Sequence, residues 1–195
     1  MITKHFVAAV AGMLFSLPAP AVYAIGPAGM AAPSTLSPLN IVVQKPTLAP
    51  FAYVRYCVVN AVDCAEGHGP ETVTVSARQL RQLRQVNFQI NRSIEPRYDD
   101  PGTDEWQADV AAGDCEDYVL TKRRRLIELG WSPNALRIAI AYTPNNNGHA
   151  VLVVSTTKGD LVLDNRNNAV LNWRDTDLRW VMIQSPKNPL YWNEI

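Results

Sequence analysis

Apolar residues recur at three- and four-residue steps between Ser76 and about Ile94: Leu80, Leu83, Val86 or Asn87, Ile90 and Ile94. That spacing predicts an amphipathic helix, which Thr74 or Ser76 can cap and Pro96 ends. Arg78, Arg81, Arg84 and Arg92 fall largely on the opposite side, most simply a solvated face. A second helix is expected from Cys115 to about Leu129. There Cys115, Tyr118, Val119, Lys122, Leu126 and Leu129 form one stripe, and Leu120 and Ile127 widen it. Gly130 suits the residue just past a helix end, and the basic run Lys122 to Arg125 suits the negative end of the dipole.

The rest of the second half reads as strands. Leu136 to Tyr142 is β-friendly, Thr143 to Gly148 is a polar turn, and His149 to Ser155 is a buried strand. Thr157, Lys158 and Gly159 make a hairpin turn into a return strand, Asp160 to Asp164, followed by the polar run Asn165 to Asn168. A last strand covers about Arg179 to Ile183. Upstream, Phe51 to Val62 is expected as a short strand or an aromatic-anchored loop. Gly67 to Pro70 is a turn, with His68 as solvated surface. Arg97 to Asp109 is an acidic loop anchored by Trp106. A helix packed on an antiparallel sheet gives an α+β fold.

The chain has 195 residues, which favours one domain with one core. Lys+Arg and Asp+Glu are equal at 18 each, so no global field draws in nucleic acid or an anionic membrane surface. Met1 to Ala24 has the form of a signal peptide: Lys4 and His5, an apolar core from Phe6 to Leu17, then Pro18, Pro20 and a small-x-small site at Val22-Tyr23-Ala24. Residues 25–50 are Pro/Ala-rich and read as an extended leader, so the expected domain is 51–195. No later segment is apolar for long enough to span a membrane. The expectation is a periplasmic or secreted protein without membrane insertion.

Export changes the meaning of the cysteines. Cys57 and Cys64 lie close in a loop-like stretch, and an oxidising compartment would join them. Closing so short a loop contributes roughly 2.5 kcal/mol in the chain-entropy model. Cys115 is then left unpaired, and a catalytic nucleophile is one reason to keep a lone thiol in such a compartment. It sits in the first turn of its helix, where free N–H groups and the dipole favour a thiolate. His149 begins one hairpin strand and Asp164 ends the next, which brings both to one sheet edge. A carboxylate there can accept from one imidazole nitrogen while the other faces a thiol.

Three segments carry a resemblance: Gly113-Asp114-Cys115-Glu116-Asp117-Tyr118, Gly148-His149-Ala150-Val151-Leu152 and Leu163-Asp164-Asn165. Together they resemble the bacterial transglutaminase-like cysteine proteinases, a family that includes LapG-type periplasmic proteases acting on large biofilm adhesins. The resemblance implies a papain/transglutaminase-like fold with Cys115 as nucleophile, His149 as general base and then acid, and Asp164 orienting the imidazole. It also implies calcium beside the cysteine, held through Asp114 and Glu116. The residues point the same way, because Asp114, Glu116 and Asp117 crowd carboxylates around one thiol and a hard cation would compensate them. Asp99, Asp100 and Asp104 are further candidates for that shell. Alternatively, Asp114 and Glu116 serve only as helix cap and dipole complement.

The function expected is a cysteine endopeptidase cleaving an extended segment of an exported or surface protein, with a regulatory inhibitor protein as a further partner of such enzymes. Acyl transfer to an amine and a catalytically silent binding module are the alternatives. The Cys115 N–H is a natural oxyanion donor, and the Trp106 region is a candidate for the second by its place in the sequence.

Overall fold

The structure, a computed structural model, describes residues 39–100 and 102–195. The expected signal peptide over 1–24, and the expected leader up to residue 38, lie outside the described residues. In chain order the elements are β1 (Pro46–Thr47), α1 (Phe51–Val59), α2 (Ala77–Ser93), β2 (Glu95–Pro96), β3 (Ala112–Gly113) and α3 (Cys115–Glu128). These are followed by β4 (Leu136–Tyr142), β5 (Gly148–Val154), β6 (Leu161–Asp164), β7 (Asn167–Asn172), β8 (Arg179–Gln184) and β9 (Trp192–Glu194).

The sheet has seven strands in the order β1-β9-β8-β4-β5-β6-β7, and every neighbouring pair runs antiparallel. A separate parallel pair, β2 with β3, lies next to the start of α3. The helices cover one face of the sheet, where Tyr53, Leu83, Val119, Leu126, Ile138, Leu152 and Trp192 are buried together. The other face has its own apolar cluster around Ala139, Val151, Val153 and Ile183. The central strands β4 and β5 are therefore buried on both sides, which explains their nearly unbroken apolar composition. This is the α+β fold expected, with a cysteine-bearing helix packed on an antiparallel sheet that carries His149 and Asp164.

The capping signal in α2 is realised in full. Ser76 Oγ accepts the Gln79 N–H at 3.3 Å, and Gln79 Oε1 accepts the Ser76 N–H at 3.0 Å. Leu83, Val86 and Asn87 face inward while the arginine row stays exposed.

Two expectations are corrected. Phe51 to Val59 is a helix rather than a strand or loop. The aromatic and β-branched residues Tyr53, Tyr56 and Val58 suggested a strand or loop, but Tyr53, Tyr56 and Cys57 recur at helical spacing on the buried side and packing overrides propensity. The run Lys122 to Arg125 also does more than complement a dipole. Lys122 and Arg123 are buried, Arg123 donates to the carbonyls of Leu136 (3.2 Å) and Asp63 (3.0 Å), and Arg124 pairs with both Asp63 and Asp109.

Cys57, on α1, is bonded to Cys64 across a Cα–Cα distance of 5.5 Å, and Cys115 is the free cysteine. Residues 39–50 pack on the same body: the Ile41 N–H donates to Asp160 Oδ2 at 2.8 Å, and β1 pairs with β9. Among the described residues no helix is long and apolar enough to cross a membrane.

Candidate active site

Local sequence dictates how the cysteine is presented. Gly113 ends β3, and a Cβ there would come within 2.0 Å of Asp117 Oδ2. Glycine is thus what lets the Asp117 carboxylate close over the backbone, where it accepts the Asp114 N–H (3.2 Å) and the Gln107 N–H (2.8 Å). Asp117 is a latch between the helix start and the upstream loop, not a third carboxylate facing the thiol. Asp114, extended at φ −115°, turns the chain into α3 and leaves Cys115 as its first residue. Tyr118, one turn on, donates its hydroxyl to the Ile94 carbonyl at 2.7 Å and ties α3 to the end of α2.

The sheet supplies the other two groups. The paired part of the β5–β6 ladder ends at Leu152 opposite Leu163. His149 and Asp164 lie just beyond it and meet diagonally, with His149 Nε2 and Asp164 Oδ1 2.8 Å apart. Both are buried, at 7 % and 6 % exposure. With Nε2 committed to the carboxylate, Nδ1 is the nitrogen left free to take a proton. Helix α3 packs on β5 so that the Ala150 N–H, next to His149, donates to Cys115 Sγ at 3.4 Å. Cys115, His149 and Glu116 line one cleft of about 680 Å³, with Arg97, Tyr98 and Asn145 on its walls.

Arg166 is a site residue that its place in the polar run Asn165 to Asn168 did not reveal. Its backbone N–H donates to Asp164 Oδ1 (2.8 Å), its Nε–H to Oδ2 (3.2 Å), and its far end pairs with Asp177 at 2.5 Å. The charged group two residues after Asp164 was the available signal, and only the tight β6–β7 turn turns it back onto the carboxylate. Although burial pushes the Asp164 carboxyl up, His149 and Arg166 together hold it below its usual value.

The electrostatics around the thiol run opposite to the helix-start expectation. Burial, and then the Glu116 carboxylate, push the Cys115 thiol well above its ordinary range, with the Ala150 N–H opposing them. The Cys115 Sγ–H points at Glu116 Oε2, 3.1 Å away. Glu116 is itself pushed up to about 8, first by burial and then by Asp114. Dipole stabilisation is worth at most a kcal/mol or two, which two adjacent carboxylates in a buried pocket exceed.

Asp99, on the acidic loop, joins this pair. Asp99, Asp114 and Glu116 offer oxygen atoms within 4.8 Å of one another, and Asp114 Oδ1 is buried without a hydrogen-bond partner. Close oxygen ligands with net negative charge and an unsatisfied acceptor are the donor set of a hard cation. Asp104 instead accepts the Trp106 indole N–H at 2.9 Å, and Asp100 accepts from Thr103 through its carbonyl. The Trp106 indole is not free to serve as an oxyanion donor: it is buried edge-on against Tyr53, ring centroids 5.4 Å apart, with its ring N–H already used.

A sheet-borne His–Asp pair brought against a free cysteine at a helix start defines a papain- or transglutaminase-like cysteine-hydrolase architecture. The chain belongs to the bacterial transglutaminase-like cysteine proteinases (BTLCP), whose family model matches residues 43–195. Solved structures of Legionella pneumophila LapG are similar to it. The EGTA-treated form is 30 % identical over 53 % of this chain and 61 % of that one, with a TM-score of 0.46. A second LapG structure is 28 % identical over 58 % and 66 %, with a TM-score of 0.49. The calcium-bound form is 26 % identical over 69 % and 76 %, with a TM-score of 0.47. The match thus spans about three fifths of the length of the EGTA-treated LapG chain and about two thirds of the second. No curated protein matches by sequence.

Proposed function

We propose that this protein is an exported cysteine endopeptidase that cleaves an extended segment of a periplasmic or surface protein, a biofilm adhesin being the substrate type the family suggests. The observation that carries the reading is the placement of the free Cys115 thiol against the backbone next to His149, whose ring is bonded to Asp164. In this reading His149 Nδ1 takes the thiol proton as Sγ attacks the scissile carbonyl carbon. Asp164 holds the Nε2–H and stabilises the imidazolium. The Cys115 N–H, one of the unpartnered donors of the helix start, faces the developing oxyanion. Collapse of the tetrahedral intermediate passes the proton from His149 to the leaving amine. His149 then activates a water molecule to hydrolyse the thioester. The alternative fate, attack by an amine, uses the same residues.

Asp99, Asp114 and Glu116 would hold calcium, which when bound supplies positive charge beside the thiol and offsets the carboxylates that raise its pKa.

The test is incubation of wild-type protein and Cys115→Ala with the periplasmic and surface proteins of the same cell, followed by sequencing of new N-termini. New N-termini that depend on Cys115 are expected. Their absence overturns the peptidase reading, and isopeptide products with an added amine would replace it with acyl transfer.

A further inference from the structure

Helix α2 carries a charge pattern that the chemistry described so far does not use. From Thr72 to Ile94 the chain holds Arg78, Arg81, Arg84 and Arg92 and no acidic residue. At 3.6 residues per turn these arginines and Phe88 fall on about a third of the helix circumference, opposite the buried Leu83 and Val86. All of them are exposed, as is Arg97 just past the helix end. Phe88 keeps 44 % of its surface in solvent, and the Arg92 guanidinium stands 5.4 Å from its ring centre.

The other arginines are all engaged with the protein itself. Arg55, Arg123, Arg137 and Arg174 donate to backbone carbonyls. Arg124, Arg125 and Arg166 pair with carboxylates, and Arg179 donates to Asn146. Among the described residues no carboxylate lies within ion-pair distance of Arg78, Arg81, Arg84, Arg92 or Arg97. Residues 1–38 contain no Asp or Glu, so they bring no carboxylate to this face either. Solubility does not require the charge, since Gln85 and Gln89 serve as solvent-side residues of the same helix. A guanidinium is a planar fork of donors matched to a carboxylate.

The row leads to the catalytic cleft. Ile94 ends α2, and its carbonyl accepts the hydroxyl of Tyr118 at 2.7 Å. Tyr118, Arg97 and Tyr98 line the cleft that holds Cys115 and His149. We propose that this arginine face is an exosite for an acidic, extended stretch of the protein substrate, next to the segment that enters the cleft. The 17 residues of α2 span about 25 Å, the length of roughly eight residues of extended chain. A formal net charge of zero gives no long-range attraction to a membrane or a nucleic acid, and the end of the row at the cleft ties it to what the cleft receives. The inference rests on the peptidase reading, which supplies the substrate, and the face is also tested without cleavage.

The experiment combines Arg78→Gln, Arg81→Gln, Arg84→Gln and Arg92→Gln in one full-chain variant. A charge-matched control combines Lys45→Gln, Lys158→Gln, Arg174→Gln and Lys187→Gln, exposed positions away from α2. In the first arm, all proteins carry Cys115→Ala and bind fluorescein-labelled poly-L-glutamate, read by anisotropy. The α2 variant should bind about tenfold or more weakly, since four exposed ion pairs contribute about twofold each. The control should lose little, and added salt should weaken the parent far more than the α2 variant. In the second arm, with Cys115 intact, the substrate identified by its new N-terminus is compared with a peptide of its scissile segment alone. The α2 variant should raise KM for the whole substrate about tenfold with kcat unchanged, and cut the short peptide like wild type. Its melting temperature should stay within a degree or two of wild type, as expected for exposed substitutions. Equal poly-L-glutamate binding by the α2 variant and its parent, an equal loss in the control, or an unchanged KM for the whole substrate overturns the proposal. So does tighter binding, through the same arginines, to phosphatidylglycerol vesicles or duplex DNA than to poly-L-glutamate. If wild type shows no Cys115-dependent cleavage at all, the peptidase reading has failed, and the binding arm alone decides whether the face takes acidic chains.

Discussion

Glu116 offers the sharpest handle on the charge balance beside the thiol. An acid whose folded pKa lies above its unfolded value binds more protons folded than unfolded between the two, so stability falls as pH rises through that window. Glu116 is raised from 4.5 to about 8. At 1.36 kcal/mol per pH unit this bounds the loss at roughly 5 kcal/mol above pH 8, and water in the cleft screens it to about 2–3 kcal/mol. Glu116→Gln removes the term, so in EGTA the variant should melt roughly 5–10 °C above wild type at pH 8 and equal to it near pH 4.5. Asp117, raised to about 6, destabilises in the same direction at lower pH, whereas Lys122, lowered to about 7, makes stability rise with pH above 7. Both are common to the two proteins, so the difference between their melting curves isolates Glu116. Calcium should flatten the wild-type curve and leave the variant nearly unchanged. Parallel curves from pH 5 to 8.5 in EGTA would refute the charge accounting.

Three further outcomes are expected. His149→Ala should slow iodoacetamide labelling of Cys115 at neutral pH and lower cleavage by about 10²–10⁴-fold; equal labelling rates would favour a silent binding module. Reducing Cys57–Cys64, which closes a loop with a sequence separation of 7, should remove roughly 2.5 kcal/mol and lower the melting temperature by about 5–10 °C, and an unchanged melting curve would remove the staple from the account. Chelation with EGTA at pH 7 should suppress cleavage while far-ultraviolet circular dichroism stays unchanged, and full activity after chelation would remove calcium from the mechanism.

Much of this is legible in the sequence, for a definite reason. The stripe of α2, its Ser76 cap and the apolar runs of β4 and β5 are local signals, and tertiary packing only confirmed them. Cys115, His149 and Asp164 could be brought together because a helix start and a hairpin are also local. Long-range consequences were harder to see. Helix α1 was hidden because its buried face is made by distant partners: Tyr53 packs on Trp106 and Trp192, and Tyr56 stacks on Tyr53. Short β1 and β9 carry almost no periodic signal and exist by long-range pairing, β1 with β9 and β9 with β8. Arg166 looked like turn polarity, and its contact with the carboxylate depends on where Asp164 lies, which its neighbours in the chain do not reveal.

Placed together, these charges divide the site into two unequal halves. On the helix side Asp99, Asp114 and Glu116 surround a thiol whose buried position already disfavours ionisation. On the sheet side Asp164 bonds His149 and meets Arg166 from solvent, and Asp177 pairs with the far end of Arg166. In the proposed transfer of a proton from Cys115 to His149, a negative charge is added to the half already rich in anions. In the protein alone that step runs against the local field, and positive charge added beside the trio relieves it. The imidazolium is stabilised to the extent that Asp164 stays anionic and in contact with the ring, where Arg166 holds it. In the proposed mechanism the residues flanking Cys115, His149 and Asp164 therefore govern whether the thiol can be activated, beyond the geometry of the three alone.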